Sequence, residues 1–286
     1  MFLYLRLLRL YIRLNRDLVE LFYVLNSSFF GNHESTTNST HCVSECLKKT
    51  WCSLMIISHR YKYIFLKTNK TAGTSIEIAL SKYCGPKDII TPIAPEDEEI
   101  RSKLGYRGSQ NYQNTWGHYQ LRDWIQLPSQ GKRKDPYFNH VGAKEVRKNI
   151  GARVWNSYFK FCFERNPWDR MISHYHYRWG GRNKEDWPPL SQHIESHSQI
   201  LKERGCGIYT IDGGVAVDKI CRFESIEEEL ESIRLRLHMP KKLELPRAKS
   251  QYRKDKRHYR EIFGEAERQK VAELFSYETA LLGYEF

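Results

Sequence analysis

Apolar and polar residues alternate in short stretches that predict β-strands. The clearest is SYFKFCFE at 157–164, which places Phe159, Phe161 and Phe163 on one face. The runs at 61–67 (YKYIFLK) and 216–223 (AVDKICRF) predict two further strands.

Helical patterns follow these strands. Predicted helices start at Ser75 (SIEIALSK) and cover 143–150, 168–179, about 226–237 and 266–282. Gly151 is placed to end the second of them. Strands that alternate with helices predict a single α/β domain with a mainly parallel central sheet, here over residues 59–286.

Residues 1–58 have a different pattern. Four arginines recur at spacings of three and four within residues 1–25 and lie opposite the leucines, which predicts a basic amphipathic helix. Such a helix suits an interfacial membrane anchor, a degraded signal anchor or a docked surface helix, and the pattern does not choose among them. Residues 26–41 are rich in Ser, Thr and Asn and predict a linker.

The charge of the chain indicates its partners more than its fold. It carries 46 Lys and Arg against 34 Asp and Glu, a net charge of +12, and the basic residues concentrate in 241–260. An anionic glycan, a phosphorylated nucleotide, nucleic acid or a membrane surface would suit this charge. The trio Cys42, Cys46 and Cys52 lacks a fourth ligand at zinc-like spacing, so we expect no metal site.

A first candidate phosphate site lies between a predicted strand and a predicted helix, in the segment KTNKTAGTS at 67–75. A turn of small residues that leads into a helix offers free N–H groups and the positive end of the helix dipole. Gly73 allows close approach of an oxygen, and Lys70 adds a charge. A simple capped helix start is the alternative. The segment is not a Walker A loop, because Lys70 precedes the only glycine.

A second constellation, FCFERNPWDRMISHY, occupies 161–175. Asn166 suits a helix N-cap and Pro167 the first helical position. Arg165 would then lie at the strand tip, and Ser173 about two turns into the helix on a face directed back toward it. Plain capping explains the Asn and the Pro, but explains Arg165 and Ser173 less well.

Together these two segments resemble the nucleotide-binding elements of the sulfotransferases that use 3′-phosphoadenosine-5′-phosphosulfate (PAPS). Lys70–Ser75 is similar to their 5′-phosphosulfate loop, typically PKTAGTS, with Asn69 where Pro is usual. The second segment resembles their 3′-phosphate element, in which the Arg and the Ser hold the phosphate. The similarity to carbohydrate-type and related bacterial sulfotransferases extends over roughly 61–286.

The resemblance implies a P-loop-kinase-like fold and transfer of a sulfuryl group from PAPS to a hydroxyl, here of a carbohydrate, without a metal. It implies these residues as contacts of PAPS: Lys70, Thr71, Ala72, Gly73, Thr74, Ser75, Arg165 and Ser173. Lys70 would also act in catalysis. Animal relatives of this type work in the Golgi and bacterial ones in the cytoplasm, so the compartment stays open.

An acceptor hydroxyl needs a base, and a histidine near neutral pKa would serve. His140 lies between the two phosphate motifs, at the distance before the Arg-Asn-Pro segment where the resembled enzymes carry the proposed base. We predict His140 as the base, with His118 as the alternative.

Three other functions compete with this reading. A P-loop nucleotide kinase would share the fold, but the Walker order is absent. Nucleic-acid binding rests on charge alone, so we expect no nucleic-acid partner. A non-catalytic glycan-binding relative would keep the fold without the chemistry.

Overall fold

The computed structural model describes residues 55–113, 141–246, 255 and 257–286. The strands are β1 (Met55–Ser58), β2 (Tyr63–Leu66), β3 (Ile89–Ile90), β4 (Phe159–Glu164), β5 (Thr210–Ile211), β6 (Gly214–Val215) and β7 (Lys219–Arg222). The α-helices are α1 (Gly73–Ser81), α2 (Pro95–Lys103), α3 (Ala143–Ile150), α4 (Ala152–Ser157), α5 (Pro167–Trp179), α6 (Leu190–Glu203), α7 (Cys206–Tyr209), α8 (Ile226–Arg236), α9 (Glu265–Leu274) and α10 (Ser276–Leu282). Short 3₁₀ turns occupy Lys184–Asp186, Phe223–Ser225 and Tyr259–Glu261.

The central sheet has the strand order β3-β1-β2-β4-β7 and is mixed. β2 runs parallel to β4 and β4 parallel to β7, whereas β1 is antiparallel to both of its neighbours. The prediction of a mainly parallel sheet was therefore wrong. Ser58 pairs with Tyr63, so a short hairpin joins β1 to β2, and only an antiparallel pair can be joined that closely.

Most predicted elements are confirmed with small shifts of their ends. β2, β4, α1, α3, α5 and α8 lie where the pattern placed them. The strand predicted at 216–223 is reduced to Lys219–Arg222, and the helix predicted at 266–282 is divided into α9 and α10 at the buried Phe275.

β4 is buried on both faces, so the segment that follows it leaves from a well-packed strand. Phe161 and Phe163 pack with α1 and α8 on one face, and Phe159 adds to that cluster from its edge. Cys162 points to the other face, where it packs with α3, α4 and α7. Cys221 of β7 is buried as well. Among the described residues no helix is both long enough and apolar enough to cross a membrane.

Candidate active site

The parallel pairing of β2 with β4 brings the two predicted phosphate motifs to one edge of the sheet. Leu66 pairs with Cys162 near the carboxyl ends of both strands. The segment after β2 is the turn into α1, and the segment after β4 is the turn into α5. In open α/β sheets, ligands bind at this edge.

The turn after β2 has a backbone shape that suits an anion. Lys70 and Ala72 both adopt left-handed conformations, with φ of 66° and 56°. Left-handed residues among right-handed ones turn successive N–H groups toward one side, which forms an anion-binding concavity. The N–H groups of residues 71–75 donate no hydrogen bond to any other described residue. Five neighbouring donors at the start of α1 therefore fit a phosphate.

Hydrogen bonds to other segments fix this turn in place. The Thr68 hydroxyl donates to the carbonyl of Phe163 in β4, and it lies 2.9 Å from the Thr71 hydroxyl. The Asn69 N–H donates to the Arg204 carbonyl at 2.7 Å. Proline has no N–H, so this bond exists only because Asn69 stands where the resembled loops carry Pro.

Lys67, to which the sequence assigned no role, is part of the turn. Its side chain is buried and crosses Gly73, where an added Cβ would come within 2.4 Å of the Lys67 Cγ. The Lys67 Nζ donates to the Thr74 Oγ1 at 2.7 Å and lies 4.0 Å from the Glu77 carboxylate. An ammonium can only donate, so the Thr74 oxygen accepts and its own O–H is left to donate elsewhere.

The contact between Gly73 and Lys67 gives a first test. Gly73→Ala should lower the free energy of unfolding by about 1–3 kcal/mol, because the new methyl group must displace the Lys67 side chain. Gly108→Ala is the control, since a Cβ there meets nothing within 4 Å. The measurement is chemical denaturation. If Gly73→Ala matches Gly108→Ala, the close packing of Lys67 over Gly73 is refuted, whereas recovery in Gly73→Ala with Lys67→Ala supports it.

The second motif begins α5 as predicted. The Asn166 Oδ1 accepts hydrogen bonds from the N–H groups of Trp168 and Asp169 at 3.1 and 3.4 Å, and Pro167 is the first helical residue. Arg165 donates through Nε to the Asp169 carboxylate at 2.8 Å. Its NH1 donates to the Lys70 carbonyl at 3.1 Å. The two phosphate motifs, 95 residues apart, are thus in direct contact.

One stripe of α5 faces the turn after β2. Asp169, Ser173 and Tyr177 are spaced by four residues, which places them on one side of the helix, and Arg165 precedes α5 at the same spacing. At one end Arg165 binds the Lys70 carbonyl, and at the other the Lys70 ammonium lies 4.0 Å from the centre of the Tyr177 ring. Ser173 lies between these ends and is half-buried.

Residues near the carboxyl end of the described chain brace the same region. The Tyr284 hydroxyl donates to the Glu164 carbonyl at 3.2 Å, and the Asn166 side-chain amide donates to the Glu285 carbonyl at 3.0 Å. The Phe286 ring packs edge-on against Trp168, with 5.5 Å between ring centres. Residues 284–286, which are distant in sequence, therefore stabilise the start of α5.

A buried ion triad lies under the motif. Arg170 donates to Glu164 at 2.5 Å and to Glu278 at 3.2 Å, and all three side chains are at most 1% exposed. Burial raises the pKa of the Glu164 carboxyl, and the charge of Arg170 opposes that rise.

Comparison with known proteins agrees with this geometry. A model of the sulfotransferase family matches residues 53–285. The chain belongs to the sulfotransferase family. It is also 25% identical over 110 residues to an uncharacterized protein of Archaeoglobus fulgidus, a match that covers 35% of this chain and 84% of that relative. No solved structure matches.

One part of the predicted site of this sulfotransferase is the base. His140 and His118, the two candidates for the base, both lie outside the described residues. Their assignment stays a prediction. Among the residues that the structure describes, no group of three His, Cys, Asp or Glu is arranged to hold a metal ion.

Sequence reasoning missed Lys67 and Tyr177 in this sulfotransferase. The spacing of four from Arg165 through Asp169 and Ser173 continues to Tyr177, and it was the available signal for that residue. Lys67 gave no such signal, because its contact with Thr74 depends on how the turn folds back on β2.

Proposed function

We propose that this sulfotransferase transfers a sulfuryl group from PAPS to a hydroxyl group of a carbohydrate. One observation carries the proposal: the hydrogen bond from Arg165 to the Lys70 carbonyl, which joins a turn of free N–H donors to a second cationic element. A nucleotide with phosphate groups at both its 5′ and 3′ positions requires two such anion sites side by side.

The residues divide between the two ends of the nucleotide. The N–H groups of 71–75, the Thr74 and Ser75 hydroxyls and the Lys70 ammonium would hold the 5′-phosphosulfate. The Arg165 guanidinium and the Ser173 hydroxyl would hold the 3′-phosphate. Arg165 is bound on one side by Asp169, and this contact orients its planar fork.

The chemistry needs a proton acceptor and a charge to meet the leaving group. PAPS, when bound, supplies the sulfuryl group. His140 would accept the proton of the acceptor hydroxyl as that oxygen bonds to sulfur. Lys70 and the N–H groups around Gly73 would stabilise the negative charge that collects on the phosphate oxygen as its bond to sulfur breaks. Adenosine 3′,5′-bisphosphate would then be the nucleotide product.

The net charge of +12 supports a polyanionic carbohydrate as the acceptor. Transfer of label from radioactive PAPS to a panel of sulfated and unsulfated glycans tests this part of the proposal. If label appears on no glycan but on other hydroxyl compounds, the carbohydrate acceptor is refuted. Sulfuryl transfer from PAPS would then still be supported.

The nucleotide part of the proposal is tested by binding. The protein should bind adenosine 3′,5′-bisphosphate without magnesium, and Arg165→Ala should weaken that binding by about 1.5–3 kcal/mol, the size of a charge-assisted hydrogen bond. Isothermal titration calorimetry measures both. The matched control is Arg147→Ala, since Arg147 is exposed on α3 and belongs to neither motif.

Adenosine 5′-phosphate provides the contrasting ligand. It lacks the 3′-phosphate, so wild type and Arg165→Ala should bind it with nearly the same affinity. Equal affinity of the wild type for the two nucleotides would show that no 3′-phosphate site exists. Tight binding of ATP that requires magnesium would instead favour a nucleotide kinase.

A further inference from the structure

A hydrogen-bonded chain of aromatic side chains, in which both histidines are buried, lies between α5 and α6. The Trp179 indole Nε1 donates to the His193 Nδ1 at 3.0 Å. The His193 Nε2 lies 3.1 Å from the His174 Nδ1. His193 is fully buried and His174 is only 7% exposed. The proposed reaction so far assigns no role to these residues.

The chain has a fixed direction. An indole N–H can only donate, so the His193 Nδ1 accepts and carries no proton. The single proton of neutral His193 is then on Nε2, which donates to the His174 Nδ1. His174 must therefore carry its own proton on Nε2. The contacts of the Trp179 indole thus determine the tautomer of a histidine two steps away.

The surroundings keep both rings neutral. Burial, His197 and Arg178 lower the pKa of His193 to about 3. Burial, His193 and Lys70, with smaller effects of His197 and Arg178, lower the pKa of His174 to about 2. No carboxylate is among the groups that act on either ring, so nothing favours the charged form.

His174 lies beside the phosphate-binding turn. It precedes Tyr177 by three residues, so these two side chains lie on one side of α5. The Lys70 ammonium lies over the Tyr177 ring on that side. The His174 Nε2 makes no hydrogen bond to another described residue. This nitrogen is not among the fully buried atoms that lack a partner, so a ligand can reach it. An N–H without an acceptor among the described residues, close to Lys70, is placed to meet an anion that the lysine attracts.

We propose that His174 is a neutral hydrogen-bond donor to the 5′-phosphosulfate of the bound nucleotide, with its proton held on Nε2 by the chain from Trp179 through His193. This inference rests on the proposed function and adds a binding residue to it. His174 cannot then be the base, because its ring nitrogens are already a donor and an acceptor. A neutral donor also adds no charge repulsion beside Lys70.

The test compares two ligands that differ only at the 5′ end. We expect His174→Leu to bind adenosine 3′,5′-bisphosphate about tenfold or more weakly than wild type, as for a hydrogen bond to a charged group. The same variant should bind adenosine 3′-phosphate with unchanged affinity. His174→Gln should retain most of the bisphosphate affinity, because an amide can both accept from His193 and donate to a phosphate.

Two further variants distinguish the effect of the hydrogen-bonded chain on affinity from the effect of side-chain packing. Trp179→Phe removes the indole N–H and should weaken the bisphosphate severalfold without affecting adenosine 3′-phosphate. His197→Leu is the control, since His197 stacks on His193, with 4.2 Å between ring centres, but lies outside the chain. It should change neither affinity.

A loss of the same factor for both ligands would indicate a structural role and overturn the inference. So would unchanged bisphosphate affinity in His174→Leu, or in Trp179→Phe if the leucine variant does not fold. Failure of the wild type to bind the bisphosphate is a different result, because it refutes the proposed function itself.

Discussion

Replacing His140 with alanine is expected to lower sulfuryl transfer by about 10²–10⁴-fold, the usual contribution of a general base. Nucleotide affinity should stay nearly intact, because the proposed phosphate contacts come from the turn after β2 and from α5. A histidine with a structural role would behave differently, since its loss should reduce thermal stability, binding and turnover together. Steady-state kinetics with PAPS, beside calorimetry with adenosine 3′,5′-bisphosphate, separates the two cases.

The pH profile gives a second measure of the same assignment. A base must be unprotonated to act, so wild-type activity should rise as pH passes the ordinary histidine range near about 6.5. That rise should disappear in His140→Ala. His118→Ala is the matched comparison. Near-normal turnover of His140→Ala, together with a folded but inactive His118→Ala, would move the base to His118.

Replacing Arg170 with methionine is expected to lower the free energy of unfolding by about 3–5 kcal/mol. Arg170 is the shared partner of Glu164 and Glu278, and all three side chains are buried. Methionine fills much of the arginine volume, so the loss comes chiefly from two carboxylates left in a low-dielectric interior. Urea denaturation measures it, with Arg178→Met, an exposed position on the same helix, as the control.

The loss of unfolding free energy in Arg170→Met should depend on pH. A buried carboxyl without its cation has a folded-state pKa above its unfolded value, so folding favours the protonated form. Its contribution to stability is then present below the unfolded pKa and is lost as pH rises toward the folded one. We expect a larger deficit at pH 8 than at pH 5. Adding Glu164→Gln and Glu278→Gln should restore much of the stability, and a deficit equal to that of Arg178→Met would contradict the prediction.

The strands and helices that the sequence predicted well are those whose packing follows from their own residues. β4 was predicted from the alternation of Phe159, Phe161 and Phe163, and these three rings pack on one face, although the strand is covered on both. The start of α5 was predicted from Asn166 and Pro167, because capping depends on neighbouring residues only. Local chemistry was sufficient in both cases.

The elements that were missed depend on distant partners. α6 buries His193 and Ser198 beside Ile194 and Leu201, so its buried face is half polar and shows no clear apolar period. β1 has four buried residues without alternation, and its reversed direction follows from the hairpin to β2. The apolar pattern of one strand does not show whether the neighbouring strand runs parallel or antiparallel to it.

The site divides in the same way. The residues that resemble known motifs were found from the sequence, and the contact between Arg165 and Lys70 shows that the fold brings them together. Lys67 and the Trp179–His193–His174 chain were not found from the sequence. The Lys67 contact joins the segment after β2 to α1, and the chain joins α5 to α6, so neither follows from one segment alone. Asn69 departs from the usual Pro of the motif, and its N–H donates a hydrogen bond to the Arg204 carbonyl that a proline could not make.

The brace from Tyr284 to Glu164 has a consequence for the order of events during synthesis. Its hydrogen bond joins residues 120 positions apart. At the usual elongation rate of about 5–20 residues per second, Tyr284 is added roughly 6–24 s after Glu164. Over that interval a nascent chain carries the turn after β2 and the start of α5 without their support. During this interval a chaperone or a nucleotide could bind to the turn and the start of α5. Slower translation of the intervening codons would lengthen the interval.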